Sequence, residues 1–479
     1  MKKSLILWLL MTGLAVLSLP AALILADSGK EKILITEEAL SGNPAEAEGI
    51  VLRIPSYWRR NLFWDTEYTI GGGEAKSSFT FSSRTVFWKG PETRIYAGLG
   101  INMNGNFSGT YAPGSTSFDW EYGYYEMICS VAERIESGGT LTEIIRFGDY
   151  SLYYPLIFVL EGTNVSYKGD YQKACDYLRD FFHIQVAEDS AEVTVEKNEQ
   201  GDIIHVSVRH LNSDEDVVIL NAAADGGEGI YFAYCLRNAK TYEYADRGQN
   251  SGIFYFPYEE QENGFREVDL TQVRKLQDFT DDIIPAEMLT DDEEEFLLLA
   301  AEDEEGYSLL VYRLEGEMPV LIRRIQVKTD HSSFRRMSLE DGGILLTWDD
   351  NSFSFVTEEE GEYRLWCSGA FPESSIPFPK EHVCIFDGER LTLAAYESWY
   401  GLNVLLAVYD EYGQTYSGRY VHSGSEDTDA GYDYDTFSRI MPQGVREGQS
   451  VGAGLRSWGT GDWEFVEPLE IFRRSEQLP

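Results

Sequence analysis

Short apolar runs separated by turn residues fill the chain from Ile50 onward. Gly, Asp, Asn and Pro separate these runs, and segments such as 78–82 and 352–356 alternate polar and apolar residues with a period of two. That period directs one set of side chains inward and the other toward water, as in half-buried β-strands. The pattern therefore predicts an all-β fold.

An internal repeat occupies the C-terminal half of the chain. Three apolar runs have central residues 47 positions apart (346 − 299 = 47 and 393 − 346 = 47), and they lie at 297–301, 344–348 and 391–395. After a turn, each is followed by a second strand-like run, at 308–312, 352–356 and 404–409. A period in the forties with several strands per unit is typical of β-propeller blades of about 40–50 residues.

A weaker copy of the repeat begins at 222–224, where the stretch 229–236 resembles 306–314. The chain after the first 49 residues has room for about seven or eight blades with insertions. We therefore predict a β-propeller of seven or eight blades. A pair of β-sandwiches, or another large antiparallel fold, is the alternative.

One segment has the periodicity of a helix. Asp170 can cap it, and apolar side chains recur at three-and-four spacing at Ala174, Tyr177, Leu178, Phe181 and Phe182. We predict a single inserted helix near 170–182 that packs against sheet.

The N-terminus has the layout of an export signal. Lys2 and Lys3 precede an apolar run from Leu5 to Ala26, which is long enough to span a bilayer, since about 20 residues suffice. Cleavage after Ala26 would place the bulky Ile24 at the −3 position, so an uncleaved anchor is favoured. Positive residues stay on the cytoplasmic side of a membrane. The protein is therefore expected to be exported, either anchored with its domain outside or secreted.

These patterns divide the chain into three parts. Residues 1–26 are the signal peptide or signal anchor, and residues 27–49 are a polar linker with one strand-like piece at 32–36. Residues 50–479 are the propeller-like extracytoplasmic domain with the helical insert.

The chain is strongly acidic. Lys and Arg total 39 against 81 Asp and Glu, a net charge of 39 − 81 = −42. Nucleic acids and anionic membrane surfaces bind basic proteins, so both are excluded as partners. Membrane contact is expected only through the N-terminal helix.

Recognisable catalytic motifs are missing from the sequence. The five cysteines are few, scattered and without CxxC spacing, as is typical of small buried apolar residues. The stretch 448–452 matches the G-x-S-x-G pattern of hydrolases, but no histidine follows it. Catalytic residues therefore stay unknown, and an enzyme is the less favoured interpretation.

Two groups of residues are candidates for binding. Alternating acids beside Gly431 could coordinate calcium through oxygen atoms, although a solvated acidic loop is the simpler interpretation; they are Asp427, Asp429, Asp433 and Asp435. Trp58, Trp399 and Tyr400 lie in predicted turns, where their rings could stack on sugars or anchor a protein contact. No other cofactor is expected.

The segment from Thr140 to Gly162, which includes the stretches 146–150 (RFGDY) and 153–156 (YYPL), resembles a stretch of uncharacterised exported β-propeller-like proteins of Gram-positive bacteria. The resemblance implies an extracytoplasmic protein without an assigned activity. We expect a binding or interaction module at the bacterial cell surface, whose partner is an unknown protein or glycan. The alternatives are a carbohydrate-active enzyme of the glycoside hydrolase type on a propeller fold, and a structural envelope protein.

Overall fold

A computed structural model describes 13, 34–58, 62–72, 75–81, 96–102, 106–114, 124–161, 165–188, 190–211, 217–241, 243, 245, 251–261, 265–279, 283–291, 295–340, 342–359, 362–372, 382–397, 403–422 and 470–473. The chain divides into two compact units. Unit 1 comprises Met1–Gly90 and Ser332–Pro479, and unit 2 comprises Pro91–His331.

Strands dominate both units. The first segment of unit 1 contains β1 (Ile35–Gly42), β2 (Ile50–Trp58), β3 (Leu62–Thr69) and β4 (Ala75–Phe81). Unit 2 contains β5 (Tyr96–Ile101), β6 (Phe107–Thr110), α1 (Tyr125–Glu133), β7 (Thr140–Arg146), β8 (Leu156–Glu161), β9 (Val165–Tyr167), α2 (Tyr171–Phe182), β10 (Ser190–Lys197), β11 (Ile203–Leu211), β12 (Val217–Asp225), β13 (Gly229–Asn238), β14 (Gly252–Glu260), β15 (Arg266–Val268), β16 (Arg274–Asp278), β17 (Ile284–Thr290), β18 (Phe296–Asp303), β19 (Gly306–Glu315) and β20 (Met318–Lys328). The second segment of unit 1 contains β21 (Phe334–Glu340), β22 (Gly343–Trp348), β23 (Ser352–Glu359), β24 (Glu362–Ala370), β25 (His382–Phe386), β26 (Leu391–Tyr396), β27 (Val404–Asp410), β28 (Gly413–His422) and β29 (Glu470–Arg473).

Three sheets share one architecture, in which four consecutive strands pair antiparallel in sequence order. They are β17-β18-β19-β20, β21-β22-β23-β24 and β25-β26-β27-β28. The apolar runs of the sequence repeat form the second strand of each sheet, namely β18, β22 and β26. The repeat is thereby confirmed. A four-stranded antiparallel sheet of consecutive strands is the blade unit of propellers, so the fold is all-β and propeller-like.

The second and third strands of each repeated sheet are the most buried. In unit 1, Leu345 of β22 and Phe353 of β23 share one core with Leu393 of β26 and Leu405 of β27. In unit 2, β18 and β19 share a core with β12, β13 and β14. Sheets covered on both faces read as continuous apolar runs. This burial explains why the second strands gave the strongest repeat signal.

The weaker copy of the repeat is shifted by one strand. The run at 222–224 belongs to β12, which is the edge strand of the sheet β12-β13-β14-β15-β9 and not its second strand. The stretch at 229–236 lies in β13, which pairs with β12 on one side and with β14 on the other. The stretch 229–236 therefore resembles β19 because β13, like β19, is buried and has a paired strand on each side.

Strands from both ends of the sequence complete the sheets of unit 1. Strand β1 pairs antiparallel with β28, and β29 pairs antiparallel with β2. Part of the predicted linker 27–49 is therefore a strand, Ile35–Gly42. Its side chains are nearly all exposed, so the backbone ladder with β28 and a few polar side-chain contacts hold β1 in place. The strand-like piece predicted at 32–36 overlaps β1 at Ile35 and Thr36, and the exposed remainder of β1 has no apolar pattern that could have revealed it.

The predicted helix is confirmed as α2. The Asp170 side chain accepts a 3.2 Å hydrogen bond from the Lys173 N–H, and Ala174, Leu178 and Phe182 face the core of unit 2. A second helix, α1, was not predicted. It has no side-chain cap at Tyr124 and contains β-branched residues that lower helix propensity. Its sequence therefore carries only a weak helix signal.

The predicted signal peptide or signal anchor over residues 1–26 lies, apart from Gly13, outside the described residues. Within the part of the chain that the structure describes, no helix is long and apolar enough to cross a membrane.

Candidate functional site

A partly buried polar cluster lies at one end of the sheet that contains β26, β27 and β28. Arg419 donates hydrogen bonds from Nε and Nη2 to Oε2 of Glu397, at 2.9 and 2.8 Å. The Asn403 amide donates to the same oxygen at 3.3 Å. We call the set formed by Thr66, Glu397, Asn403, Arg419 and His422 the Glu397 cluster.

The Glu397 cluster joins the two ends of one loop. Glu397 directly follows β26 and Asn403 directly precedes β27, and the Glu397 N–H donates to the Asn403 carbonyl at 2.9 Å. The five residues 398–402 connect these two anchors, and they include Trp399 and Tyr400.

This connection is longer than its counterparts in the other two repeats. Residues 397–403 separate β26 from β27, whereas 304–305 separate β18 from β19 and 349–351 separate β22 from β23. In the β18–β19 turn the Asp303 carboxylate accepts the Glu305 N–H at 2.7 Å, which closes a tight turn. The connection between β26 and β27 is therefore seven residues long, where the other two repeats have two or three.

His422 contacts two other members of the cluster, Thr66 and Asn403. Its ring is buried, and its Nε2 lies 3.4 Å from the Thr66 hydroxyl oxygen. Its backbone N–H donates to the Asn403 Oδ1 at 3.2 Å. Burial lowers the pKa of His422 to about 4. The imidazole is therefore neutral near pH 7 and adds no charge to the cluster, while the His422 backbone positions Asn403.

A second group, also in unit 1, combines serine, glutamate and histidine. The Ser338 hydroxyl donates to the Glu340 Oε1 at 2.6 Å, and the His382 Nε2 lies 3.2 Å from the same oxygen. A nucleophilic serine must instead be hydrogen-bonded to the histidine that removes its proton. With Glu340 between them, Ser338 and His382 do not form a nucleophile–base pair.

Unit 2 contains a cavity of about 210 Å³ beside α2, lined in part by Tyr171, Cys175 and Arg179. The Arg179 guanidinium is paired with Asp176 at 3.2 Å and with Asp180 at 2.9 Å. Burial raises the pKa of the Cys175 thiol, which keeps it protonated. The cavity therefore offers neither an unpaired cation nor a thiolate.

Most residues predicted for the binding site lie outside the described residues: Trp399, Tyr400, Asp427, Asp429, Asp433 and Asp435. Their proposed roles, calcium binding included, stay predictions. Trp58 is the last residue of β2 and is paired with Leu62 of β3, so its predicted place in a turn is wrong. Aromatic residues suit strands, which explains why 56–58 extends β2. Among the described residues, no group of three or more His, Cys, Asp and Glu side chains is arranged to hold a metal ion.

Sequence reasoning missed the described members of the Glu397 cluster. Glu397, Asn403 and Arg419 are single polar residues without motif spacing, and the strand register of the sheet brings them together. One sequence signal was present: the two apolar runs of the last repeat, 391–395 and 404–409, lie further apart than the two runs of either earlier repeat.

No known protein family matches the sequence, and no curated protein is similar to it. Solved structures with similar folds include a candidate 6-phosphogluconolactonase of Bacteroides fragilis, with 10% identity, a TM-score of 0.26 and coverage of 82% of this chain and 88% of that one. They also include the Cps50 (Swd1) β-propeller domain of Myceliophteria thermophila, with 10% identity, a TM-score of 0.22 and coverage of 48% and 81%. Hsv2p of Kluyveromyces lactis matches with 8% identity, a TM-score of 0.22 and coverage of 49% and 91%. Likeness at this level transfers no function, and the propeller-like assignment rests on the sheet topology.

Proposed function

We propose that this protein is an extracytoplasmic binding module at the bacterial cell surface, and that its ligand contacts the loop 398–402. The observation that supports the proposal is the extended β26–β27 connection with both ends joined by the Glu397 cluster. Loops on a rigid scaffold are frequent sites of binding. Fixed loop ends also reduce the entropy that binding must remove.

The residues of the loop suggest the chemistry of the ligand. Trp399 and Tyr400 carry large rings with a polar edge, which suit stacking on a sugar face or anchoring a protein contact. We therefore propose a cell-surface glycan or protein as the ligand.

The test uses the full chain, purified in detergent micelles and immobilised, with a panel of cell-wall glycans and surface proteins. Retention of a ligand should fall at least tenfold in Trp399→Ala. Tyr412→Ala is the matched control, because Tyr412 is an exposed aromatic residue in the next turn of the same sheet, between β27 and β28. Retention that responds equally to both substitutions would count against a site at 398–402.

Product release is scored in the same experiment. Turnover of any glycan that is lost when one carboxylate is replaced by its amide would establish the carbohydrate-active enzyme instead. If neither glycans nor proteins are retained, the structural envelope protein becomes the better interpretation.

A further inference from the structure

Strand β20 forms one edge of its sheet in unit 2. It is 11 residues long and pairs with β19 on one side. On its other side no described strand pairs with it. An edge strand of this length exposes a row of backbone N–H and C=O groups that can pair with another chain.

The side chains of β20 are unusually apolar for an exposed edge. Met318, Val320, Leu321 and Ile322 are each between 37% and 48% exposed. The equivalent edge strand β24 has only one such large apolar side chain, Leu365. Soluble proteins commonly protect their edges with charges, so this apolar segment marks β20 as a surface suited to contact with a partner.

The same molecule shows that an equivalent edge accepts a further strand. Strand β28 is the fourth strand of its repeat, as β20 is of its own, and β1 pairs antiparallel along β28. All three repeats share a bulge between the third and fourth strands, at Ile322, Trp366 and Thr415. The ladder between β1 and β28 covers Tyr416–His422 and ends beside the bulge residue Thr415. The equivalent stretch of β20 begins at Arg323, directly after the bulge residue Ile322.

Charge indicates what kind of strand fits. Glu38 of β1 lies 3.7 Å from Arg419 of β28, so the fifth strand present in unit 1 is acidic and faces a cation. Strand β20 carries Arg323 and Arg324, and it contains no acidic residue. Arg324 pairs with Asp303, whereas the exposed Arg323 has no ion pair among the described residues. Salt screens interactions between charges that are more than about 8 Å apart. The attraction of a partner strand to Arg323 is therefore stronger than its repulsion by the more distant acidic residues of the protein.

We propose that the outer edge of β20 binds an extended segment of another polypeptide, in which aliphatic residues alternate with acidic ones. The segment adds to the sheet as a fifth strand. Backbone hydrogen bonds supply affinity, while contacts with Val320, Leu321 and Arg323 supply selectivity. This surface lies in unit 2 and does not involve the loop 398–402, so either proposal can fail without the other.

A second copy of the chain is a poorer occupant. Pairing β20 with β20 about its central residue would bring the Arg323 side chains of two copies together, and β20 contains no acidic residue to pair with them.

The probe is a fluorescein-labelled decapeptide in which glutamate alternates with isoleucine and valine. A matched peptide has lysine in place of glutamate. Fluorescence anisotropy with the full chain in detergent micelles should give saturable binding of the acidic peptide, at least tenfold tighter than that of the lysine peptide. Arg323→Glu and Leu321→Glu should each raise Kd at least tenfold. Leu365→Glu on β24 is the control and should leave Kd unchanged.

Hydrogen exchange locates the peptide. Amides of 318–328 should exchange more slowly in the complex, and the thermal midpoints of the variants show whether they are folded. Should Leu321→Glu fail to fold, Arg323→Gln, at an exposed position, gives the same comparison. Equal binding of the two peptides, unchanged Kd in the Arg323 variants, or protection confined to other strands would overturn the proposal. A dimer of the peptide-free protein that Leu321→Glu dissociates would assign the edge to a second copy and would overturn it as well.

Discussion

The phenol of Tyr68 donates a 2.7 Å hydrogen bond to the Glu37 carboxylate, which also accepts the Gly71 N–H at 3.0 Å. Tyr68 lies in β3 and Glu37 in β1, so the bond joins strands of two different sheets. Because the side chains of β1 are almost all exposed, this contact and the backbone ladder with β28 keep β1 in place.

Tyr68→Phe should therefore loosen β1 selectively. A lost hydrogen bond to a partly exposed carboxylate costs about 1 kcal/mol, which corresponds to about fivefold faster local opening. Amide hydrogen exchange of Ile35–Gly42 should accelerate by that factor, while exchange of β22 and β23 stays the same. Tyr412→Phe, at an exposed position, is the control and should change neither. Unaltered exchange in β1 would show that the ladder with β28 suffices.

His422 should make stability depend on pH in a defined window. Its pKa is about 4 in the folded protein and near 6.5 in the unfolded chain. Between these values the unfolded state binds a proton that the folded state does not, so stability is full above pH 6.5 and falls as the pH drops toward 4. The loss amounts to about 3 kcal/mol in total.

His422→Asn should remove this component while the contribution of the carboxylates remains. The measurement is the thermal midpoint of both proteins between pH 7 and pH 4. The midpoint of the wild type should fall more steeply than that of the variant. His331→Asn, an exposed histidine paired with Glu302 in unit 2, should keep the wild-type slope. Parallel curves for the wild type and His422→Asn would contradict a buried neutral imidazole.

The buried cysteines should be protected from thiol reagents in the folded protein. All five are free, and Cys175, Cys235 and Cys367 are buried. Burial raises the pKa of Cys235 to about 11 and that of Cys367 to about 12, so thiolate is scarce at pH 8. Iodoacetamide at pH 8, followed by peptide mass spectrometry, should modify Cys235 and Cys367 only after denaturation. The half-buried Cys129 and Cys384 should react first, and native labelling of Cys367 at their rate would be inconsistent with this burial.

The sequence revealed those parts of the fold that are buried on both faces. Leu299, Leu346 and Leu393 are fully buried in second strands, so their 47-residue spacing was visible as a repeat. Most of β1 was missed because its side chains face water, and β29 was missed because it pairs with β2 from the other end of the sequence. Pairing between segments so far apart in the chain leaves no local sequence pattern.

The candidate site was accessible to sequence reasoning only through its aromatic residues. Trp399 and Tyr400 attract attention as neighbouring aromatic residues in a predicted turn. Glu397 and Arg419 are 22 positions apart and resemble any other charged pair. Only the register of β26, β27 and β28 places them together. The short turns of the other repeats then show that the loop between Glu397 and Asn403 is an addition to the repeated sheet.

Export is the remaining prediction, and it rests on Lys2, Lys3 and the apolar run to Ala26. The full chain with a C-terminal tag should fractionate outside the cytoplasm, and protease added to intact spheroplasts should remove the tag. Replacing Leu14 and Leu17 with Asp should abolish export, because each charge near the centre of a membrane-spanning helix costs about 2.5–3.5 kcal/mol. As a control, Leu34 and Leu40 are replaced with Asp; both are exposed and lie after the apolar run, so export should stay intact. A tag that stays in the cytoplasm and resists protease in the wild type would remove the basis for an extracytoplasmic ligand.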